Sequence, residues 1–193
     1  MSAPNSFSDD SDDWSSYREA VDRLTGRIAA GHEDASQAAM HARARRRLAH
    51  LERFLAELDD PQRRIPVVHV TGTSGKGSTA TGIAALLTAA GMKTGLATSP
   101  FLQAATEKLQ IDGRLIGGAA LSDLLDDVES IEARMLGANP EEVPLTYGEL
   151  WPALALRWFD LERVDAAVIE VGAGGRLDPT NVVRPIGSVI PGV

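Results

Sequence analysis

At 193 residues, 44% of them hydrophobic, the chain holds enough apolar material for one sizeable α/β domain with a real core. Lys and Arg total 19 against 27 Asp and Glu, a formal charge of −8, which argues against non-specific nucleic-acid binding and makes any anion site a local feature. The absence of cysteine excludes disulfides and thiolate metal sites, no apolar run approaches a membrane span, and the acidic, serine-rich N-terminus is the reverse of a signal or transit peptide. The expected location is therefore the cytoplasm, with no nucleic-acid or membrane partner.

Met1 to Asp13 combine serine, proline and aspartate with almost nothing to bury, and read as a disordered leader. Ser16-x-x-Glu19 has capping-box spacing, and Tyr17, Val21, Leu24 and Ile28 then predict an amphipathic helix ending at Gly31. A second helix is predicted through Leu48, Leu51, Leu55 and Leu58 to Pro61. Arg43, Arg45, Arg46 and Arg47 on its first half read as a solvated face balanced by nearby acids, with steering of an acidic substrate as the alternative.

Val67 to Ser78 (VVHVTGTSGKGS) is the stretch on which the chain turns. A β-branched run suited to a buried parallel strand empties into a glycine-rich loop, and Ile83, Leu86, Leu87 and Ala90 follow at helical spacing. Gly72, Gly75 and Gly77 let backbone amides turn toward an anion, and the helix presents its free N–H groups and positive dipole end to the same point. Lys76 adds a mobile positive charge for terminal phosphates, and Ser78 a hydroxyl near a magnesium position. The strict pattern G-x-x-x-x-G-K-[ST] is not met, because Val70 stands at its first glycine and Gly77 separates Lys76 from Ser78. The alternative, a plain strand-to-helix connection, is disfavoured because strand, turn, lysine, hydroxyl and amphipathic helix follow in the required order.

Gly91 stops this helix, and a second strand is predicted at Lys93 to Thr98, so Ser99 lies where a parallel sheet places ligand groups. Ser99 is a candidate metal or phosphate contact, although Ser-Pro is also a common turn starter. Glu107 and Lys108 lie in the loop before Leu109 to Ile111, and Asp112-Gly113 predicts a tight hairpin toward Leu115-Ile116. Leu121, Leu124, Leu125, Val128 and Ile131 describe a long helix closing at Gly137, with Asp123, Asp126, Asp127 and Glu129 as its wet face. Thr146-x-x-Glu149 has capping-box spacing ahead of a bulky apolar helix, in which Pro152 predicts either a kink or a later start. Asp165 to Val171 reads as a third buried strand that delivers a carboxylate, Glu170, at its carboxyl end beside the phosphate loop. Magnesium is the natural partner for such a group, and a salt bridge to an arginine or a helix cap is the alternative. Ile186 to Ile190 is predicted as a fourth strand.

Taken together, Gly72 to Ser78, Thr98-Ser-Pro100, Glu107 and above all Glu170 to Asn181 (EVGAGGRLDPTN) resemble the folylpolyglutamate synthase/dihydrofolate synthase family, a branch of the Mur ligase superfamily. The resemblance covers roughly residues 34–193. It implies an α/β, P-loop NTPase-like Mur ligase central domain with a mostly parallel sheet flanked by helices, incomplete at its C-terminus. The implied activity is that of an ATP-dependent amide ligase, which activates a folate or dihydropteroate carboxylate as an acyl phosphate for attack by L-glutamate. By match to the family's motifs, Gly72, Thr73, Ser74, Gly75, Lys76, Gly77 and Ser78 would bind ATP, with Lys76 and Glu170 catalytic and Ser99 and Glu170 ligating Mg2+. Thr146, Tyr147, Gly148 and Glu149, with Leu177 and Asp178, would contact the pterin, and for Thr146 and Glu149 the capping box competes with that role.

Phe101 departs from the family's usual Ser-Pro-His. The family's later Asp-His segment, its carbamylated lysine and its glutamate-binding domain have no counterpart here, so the expectation is the N-terminal, nucleotide-binding part of such a ligase, inactive or weakly active by itself. A full-length relative would be a monomer. The alternative from a different class is a non-catalytic nucleotide-binding module that needs a partner subunit. A cell-wall Mur ligase is set apart by the Gly174 to Asp178 loop (GGRLD).

Overall fold

Strands and helices alternate along the chain, and the computed structural model describes them over residues 10–28 and 36–192. Four strands run parallel: β1 (Val67–Val70), β2 (Thr94–Ala97), β5 (Ala166–Glu170) and β6 (Gly187–Val189). Between β2 and β5 in sequence, β3 (Leu109–Ile111) and β4 (Arg114–Leu115) add an antiparallel hairpin. Its turn residues Asp112 and Gly113 have φ of 50° and 74°, the positive values that a two-residue hairpin turn requires. The spatial order is β4-β3-β2-β5-β1-β6, so β5 lies between the two strands made first.

The helices are α1 (Asp10–Thr25), α2 (Gln37–Ala56), the short α3 (Pro61–Arg64), α4 (Lys76–Ala89), α5 (Gly118–Ala138) and α6 (Tyr147–Leu161). Side chains alternate across each strand, which divides the core in two. On one face Val67, Ala167 and Ile169 pack with Leu51, Phe54 and Leu55 of α2 and Leu150, Leu154 and Phe159 of α6. On the other, Val70, Leu96 and Val168 meet Ala80 and Ala84 of α4. The small contact residues seat α4 close against the sheet, and Leu86, predicted to face the core, points outward at 73% exposure. Among the described residues no helix is long and apolar enough to cross a membrane.

The N-terminal reading needs correction. Residues 1–9 and Gly31 lie outside the described residues, but Asp10–Asp13, assigned to a leader, form the first turn of α1. Ser16 and Glu19 fall inside that helix rather than at its start, and Ile28 lies beyond its end at 59% exposure. The start is set by tertiary contacts. Asp13 Oδ1 accepts the Ala119 amide at 2.8 Å, capping α5 from outside, and Trp14 stacks on Tyr17 with ring centroids 5.2 Å apart. α1 and α5 approach so closely that a Cβ at Gly118 would stand 2.3 Å from the Asp13 carbonyl oxygen and 2.7 Å from Tyr17 Cβ. Gly118→Ala is therefore expected to lower stability by about 1–3 kcal/mol, read as a lower urea midpoint at an unchanged slope. A midpoint equal to wild type would mean that the helices separate at no cost.

The acidic residues of α5 are not simply a wet face. Arg23 bridges Asp126 at 2.7 Å and Glu129 at 2.6 Å, Arg27 reaches Glu129 and the buried Glu132, and Asp127 pairs with Arg157 of α6. These pairs fix the register of α1 and α6 on α5. Pro152 lies inside α6, and the helix nevertheless begins at Tyr147, because the capping box at Thr146 is formed.

Candidate functional site

The loop after β1 turns into α4 through Gly75, whose φ of 74° is open to glycine at no cost. Thr79 donates to the Gly75 carbonyl at 3.0 Å as the first rung of the helix, so the amides of Lys76, Gly77 and Ser78 ahead of it have no intrahelical acceptor. The loop is anchored from behind. Thr71 donates to the Val189 carbonyl and Thr73 to the Gly192 carbonyl, both at 2.9 Å, and a Cβ at Gly72 would come within 2.7 Å of that same Gly192 oxygen. Thr73, Ser74, Gly75 and Ser78 are exposed and Lys76 is half-buried at the helix start. Donors, dipole and one cation thus gather at one helix start.

Glu170, at the carboxyl end of β5, is 6% exposed and lies against the first turn of α4. A Cβ at Gly77 would lie 3.5 Å from its Oε2 and 3.7 Å from its Oε1, so the second glycine around Lys76 keeps the space before the carboxylate clear. Oε2 accepts the Ser99 amide at 2.8 Å, and Oε1 has no hydrogen bond among the described residues. No arginine pairs with Glu170 among them. Ser99, in a cis peptide with Pro100, follows β2 directly, and its hydroxyl lies 3.9 Å from the Cβ position of Gly172. The loop beyond it is clasped by Glu107, whose carboxylate accepts the amides of Leu102, Gln103 and Ala104 at 2.7, 2.8 and 2.9 Å. Those amides, Leu102's above all, hold the Glu107 carboxyl below the usual range.

Carboxylate and hydroxyl oxygens are the hard donors that Mg2+ prefers, and Glu170 with an oxygen to spare, Ser99 and Ser78 fit such an ion. Among the described residues no cluster of three or more His, Cys, Asp or Glu offers another metal site, so an ion here would complete its shell with phosphate oxygens and water.

Beside Glu170 opens an apolar cavity of about 230 Å³, walled by Tyr147, Gly148, Trp151 and Pro152 of α6 and by Lys108, with Asp178 toward one end. Tyr147 and Trp151 meet edge to face, 6.1 Å between centroids. Lys108 Nζ stands 4.9 Å above the Trp151 ring, and burial pushes its pKa below the ordinary lysine range against the opposing pull of Glu170. Asp178, 7% exposed, accepts the Ala173 amide on Oδ2 and the Thr180 amide on Oδ1, at 2.8 and 2.9 Å. Lys108 and Trp151 were not singled out as site residues in the sequence. The available signal was a lysine one residue ahead of the alternating strand Leu109–Ile111.

Of the residues expected at a pterin, Tyr147, Gly148 and Asp178 line this cavity, whereas Thr146, Glu149 and Leu177 do not. Thr146 and Glu149 form the capping box: the Thr146 amide donates to Glu149 Oε2 at 2.8 Å, and the hydroxyl donates to the same oxygen. Glu149 is fully buried and turns its other oxygen to His50 Nδ1, 2.9 Å away, while His50 Nε2 lies 3.0 Å from Glu142. The Glu149 hydrogen bond raises the His50 pKa against its burial. For Glu149, burial pushes upward, but the hydrogen bonds from His50 and Thr146 win and its pKa falls. Arg43, Arg46 and Arg47 line a second, more polar cavity on this side, with Arg53 held by Glu142 at 3.1 Å. Contrary to the expectation of balancing acids, Arg43, Arg45, Arg46 and Arg47 have no ion-pair partner among the described residues.

No family model matches the chain. It is similar to the curated folylpolyglutamate synthase of Lacticaseibacillus casei, 42% identical over 137 residues that make up 71% of this chain and 32% of that enzyme. Mycobacterium tuberculosis folylpolyglutamate synthase complexed with ADP superposes with a TM-score of 0.79 at 31% identity, covering 92% of this chain and 37% of that one. An FPGS–AMPPCP–folate complex matches with a TM-score of 0.73 at 36% identity, covering 90% of this chain and 39% of that one. The chain spans about a third of the length of these relatives. Its mostly parallel six-stranded sheet with flanking helices is the Mur-ligase-like fold of those neighbours.

Proposed function

We propose that, over the portion that it spans, the chain is a member of the folylpolyglutamate synthase/dihydrofolate synthase family and takes part in ATP-dependent joining of L-glutamate to a folate or dihydropteroate carboxylate. The observation that carries this reading is the buried Glu170 carboxylate facing the amide cradle across Gly77, with the apolar cavity opening beside it. The amides of Ser74 to Ser78 and Lys76 hold the triphosphate. Ser99, Glu170 and Ser78 would hold Mg2+, which when bound neutralises charge on the β- and γ-phosphates.

A flat pterin suits the apolar cavity that Tyr147 and Trp151 wall, with Asp178 to accept an N–H donor and Lys108 a cation for the substrate's negative end. A carboxylate oxygen of that substrate attacks the γ-phosphorus, and the bond to the bridging oxygen breaks with its electron pair on ADP, leaving an acyl phosphate. The glutamate amine then attacks the acyl carbon, losing a proton, and inorganic phosphate departs. The cradle's contribution to the first step is positioning and charge stabilisation. The residues named here serve that step, and none of them provides a seat for the amine. The cytoplasm, where ATP and folates are available, is the proposed location.

Glu170→Gln retains an oxygen to accept the Ser99 amide but removes the charge. ATP affinity in the presence of Mg2+ is expected to fall on the order of 10- to 100-fold, with little change in EDTA, by titration calorimetry. An equal loss with and without the metal would assign Glu170 a structural role and remove the support for this reading.

A further inference from the structure

A parallel strand covered on both faces is expected to be apolar throughout, yet β1 carries His69 in its middle, 6% exposed, on the same face as Val67. A buried imidazole needs a partner, and this one has it across 111 residues: Nε2 lies 2.9 Å from the Thr180 hydroxyl. The direction of each bond follows from its neighbours. Thr180 Oγ1 is 2.5 Å from Asp178 Oδ1, which already takes the Thr180 amide at 2.9 Å. An ionised carboxylate only accepts, so the Thr180 proton points to Asp178 and its lone pair receives the His69 Nε2–H. Burial lowers the His69 pKa against the field of Asp178, which keeps the ring neutral with the single tautomer that this chain of bonds uses.

The relay ends on the carboxylate that stands at the cavity. Oδ1 is held by Thr180 and Oδ2 by the Ala173 amide, and a Cβ at Gly172 would come within 3.2 Å of Oδ2, so the carboxylate plane has little room to turn. We propose that His69 is a positioning residue: through the Thr180 hydroxyl it fixes the Asp178 carboxylate in the orientation from which its remaining lone pair, on Oδ2, receives an N–H donor of a flat heterocycle in the apolar cavity. The inference rests on the reading of that cavity as the pterin seat. It adds a residue that touches neither ligand, anchored in the strand that leads into the phosphate loop.

The test titrates folate, in the presence of Mg2+ and AMPPCP, and separately AMPPCP alone, into the 193-residue chain and its variants by calorimetry. His69→Phe keeps the ring and loses the donor, and Thr180→Val breaks the same relay from the loop. Each is expected to weaken folate binding roughly tenfold, the double variant no more than either single one, with AMPPCP affinity within about twofold of wild type. His69→Gln, which returns an N–H at a similar reach, is expected to recover most of the loss. Folate affinity unchanged in both single variants, or equal losses for both ligands without rescue by Gln, would overturn the positioning role while the pterin seat stands. A wild-type chain that binds AMPPCP but not folate would instead overturn the pterin seat, and this inference with it.

Discussion

Replacing Lys76 by alanine is expected to cut ATP affinity roughly ten- to a hundredfold while leaving the fold intact. The two halves of that expectation have separate causes. Lys76 is the first residue of α4 and the cation among the cradle donors, and a hydrogen bond to a charged group is worth about 1.5–3 kcal/mol, or roughly 10- to 150-fold in affinity. The overall charge of −8 offers no diffuse attraction to compensate. The helix, by contrast, gains the best helix former in place of a lysine whose side chain makes no ion pair among the described residues. Calorimetric titration with Mg-ATP and a thermal melt of the same samples check both halves. Unchanged affinity would remove the phosphate-cradle reading, and a collapsed melt would show that Lys76 acts on the fold.

Glu149→Ala is expected to cost about 3–5 kcal/mol of stability, the largest single effect foreseen away from the nucleotide. One buried carboxylate serves two neighbours, closing the capping box of α6 and holding one nitrogen of His50, with Glu142 on the other. Truncation leaves the start of α6 uncapped and a buried imidazolium with one partner. The same site sets a pH profile. His50 has a raised folded pKa, so its stabilisation is full below the unfolded value near 6.5 and disappears as pH rises through the folded value. Glu149 has a depressed folded pKa, so its contribution is present above about 4.5 and is lost as pH falls through the folded value. Urea melts of the wild type should show this pair contributing most between about pH 4.5 and 6.5, and Glu149→Ala should flatten the alkaline limb. A variant within 1 kcal/mol of wild type with the same limb, on the order of an ordinary surface change, would refute the clamp.

Much of the architecture was legible because local signals agree with it. Val67–Val70, the glycine loop and α4 follow one another as read, as do the Asp112-Gly113 hairpin and the strand that ends at Glu170. What escaped depends on partners distant in sequence. Asp10–Asp13 look like leader because aspartate and serine bury nothing, and only Ala119, more than a hundred residues on, gives Asp13 an amide to cap. Thr146 and Glu149 carry a spacing that serves both a helix cap and a family motif, and the difference lies in which way the side chains turn. Here they turn inward to the cap and to His50, while their neighbours Tyr147 and Gly148 face the cavity. His69 reads as one more strand residue until Thr180 arrives beside it. The arginines of α2 looked balanced by acids in sequence, yet the nearby Glu142 is taken by His50 and Arg53.

The strand order has a consequence for the making of the molecule. β5 lies between β1 and β2 and β6 lies outside β1, so both neighbours of β1 come from residues 166–189. On a ribosome, β1 emerges about a hundred residues before either. Until then its Val-Val-His-Val edge is open on both sides, and the glycine loop ahead of α4 lacks the Val189 and Gly192 carbonyls that later anchor it. The segment on which the proposed nucleotide binding depends is synthesised about a hundred residues before the strands that enclose it. A nascent chain of this topology carries an unpaired β-branched edge until residues 166–189 emerge, and the pairing that buries the edge also completes the cradle.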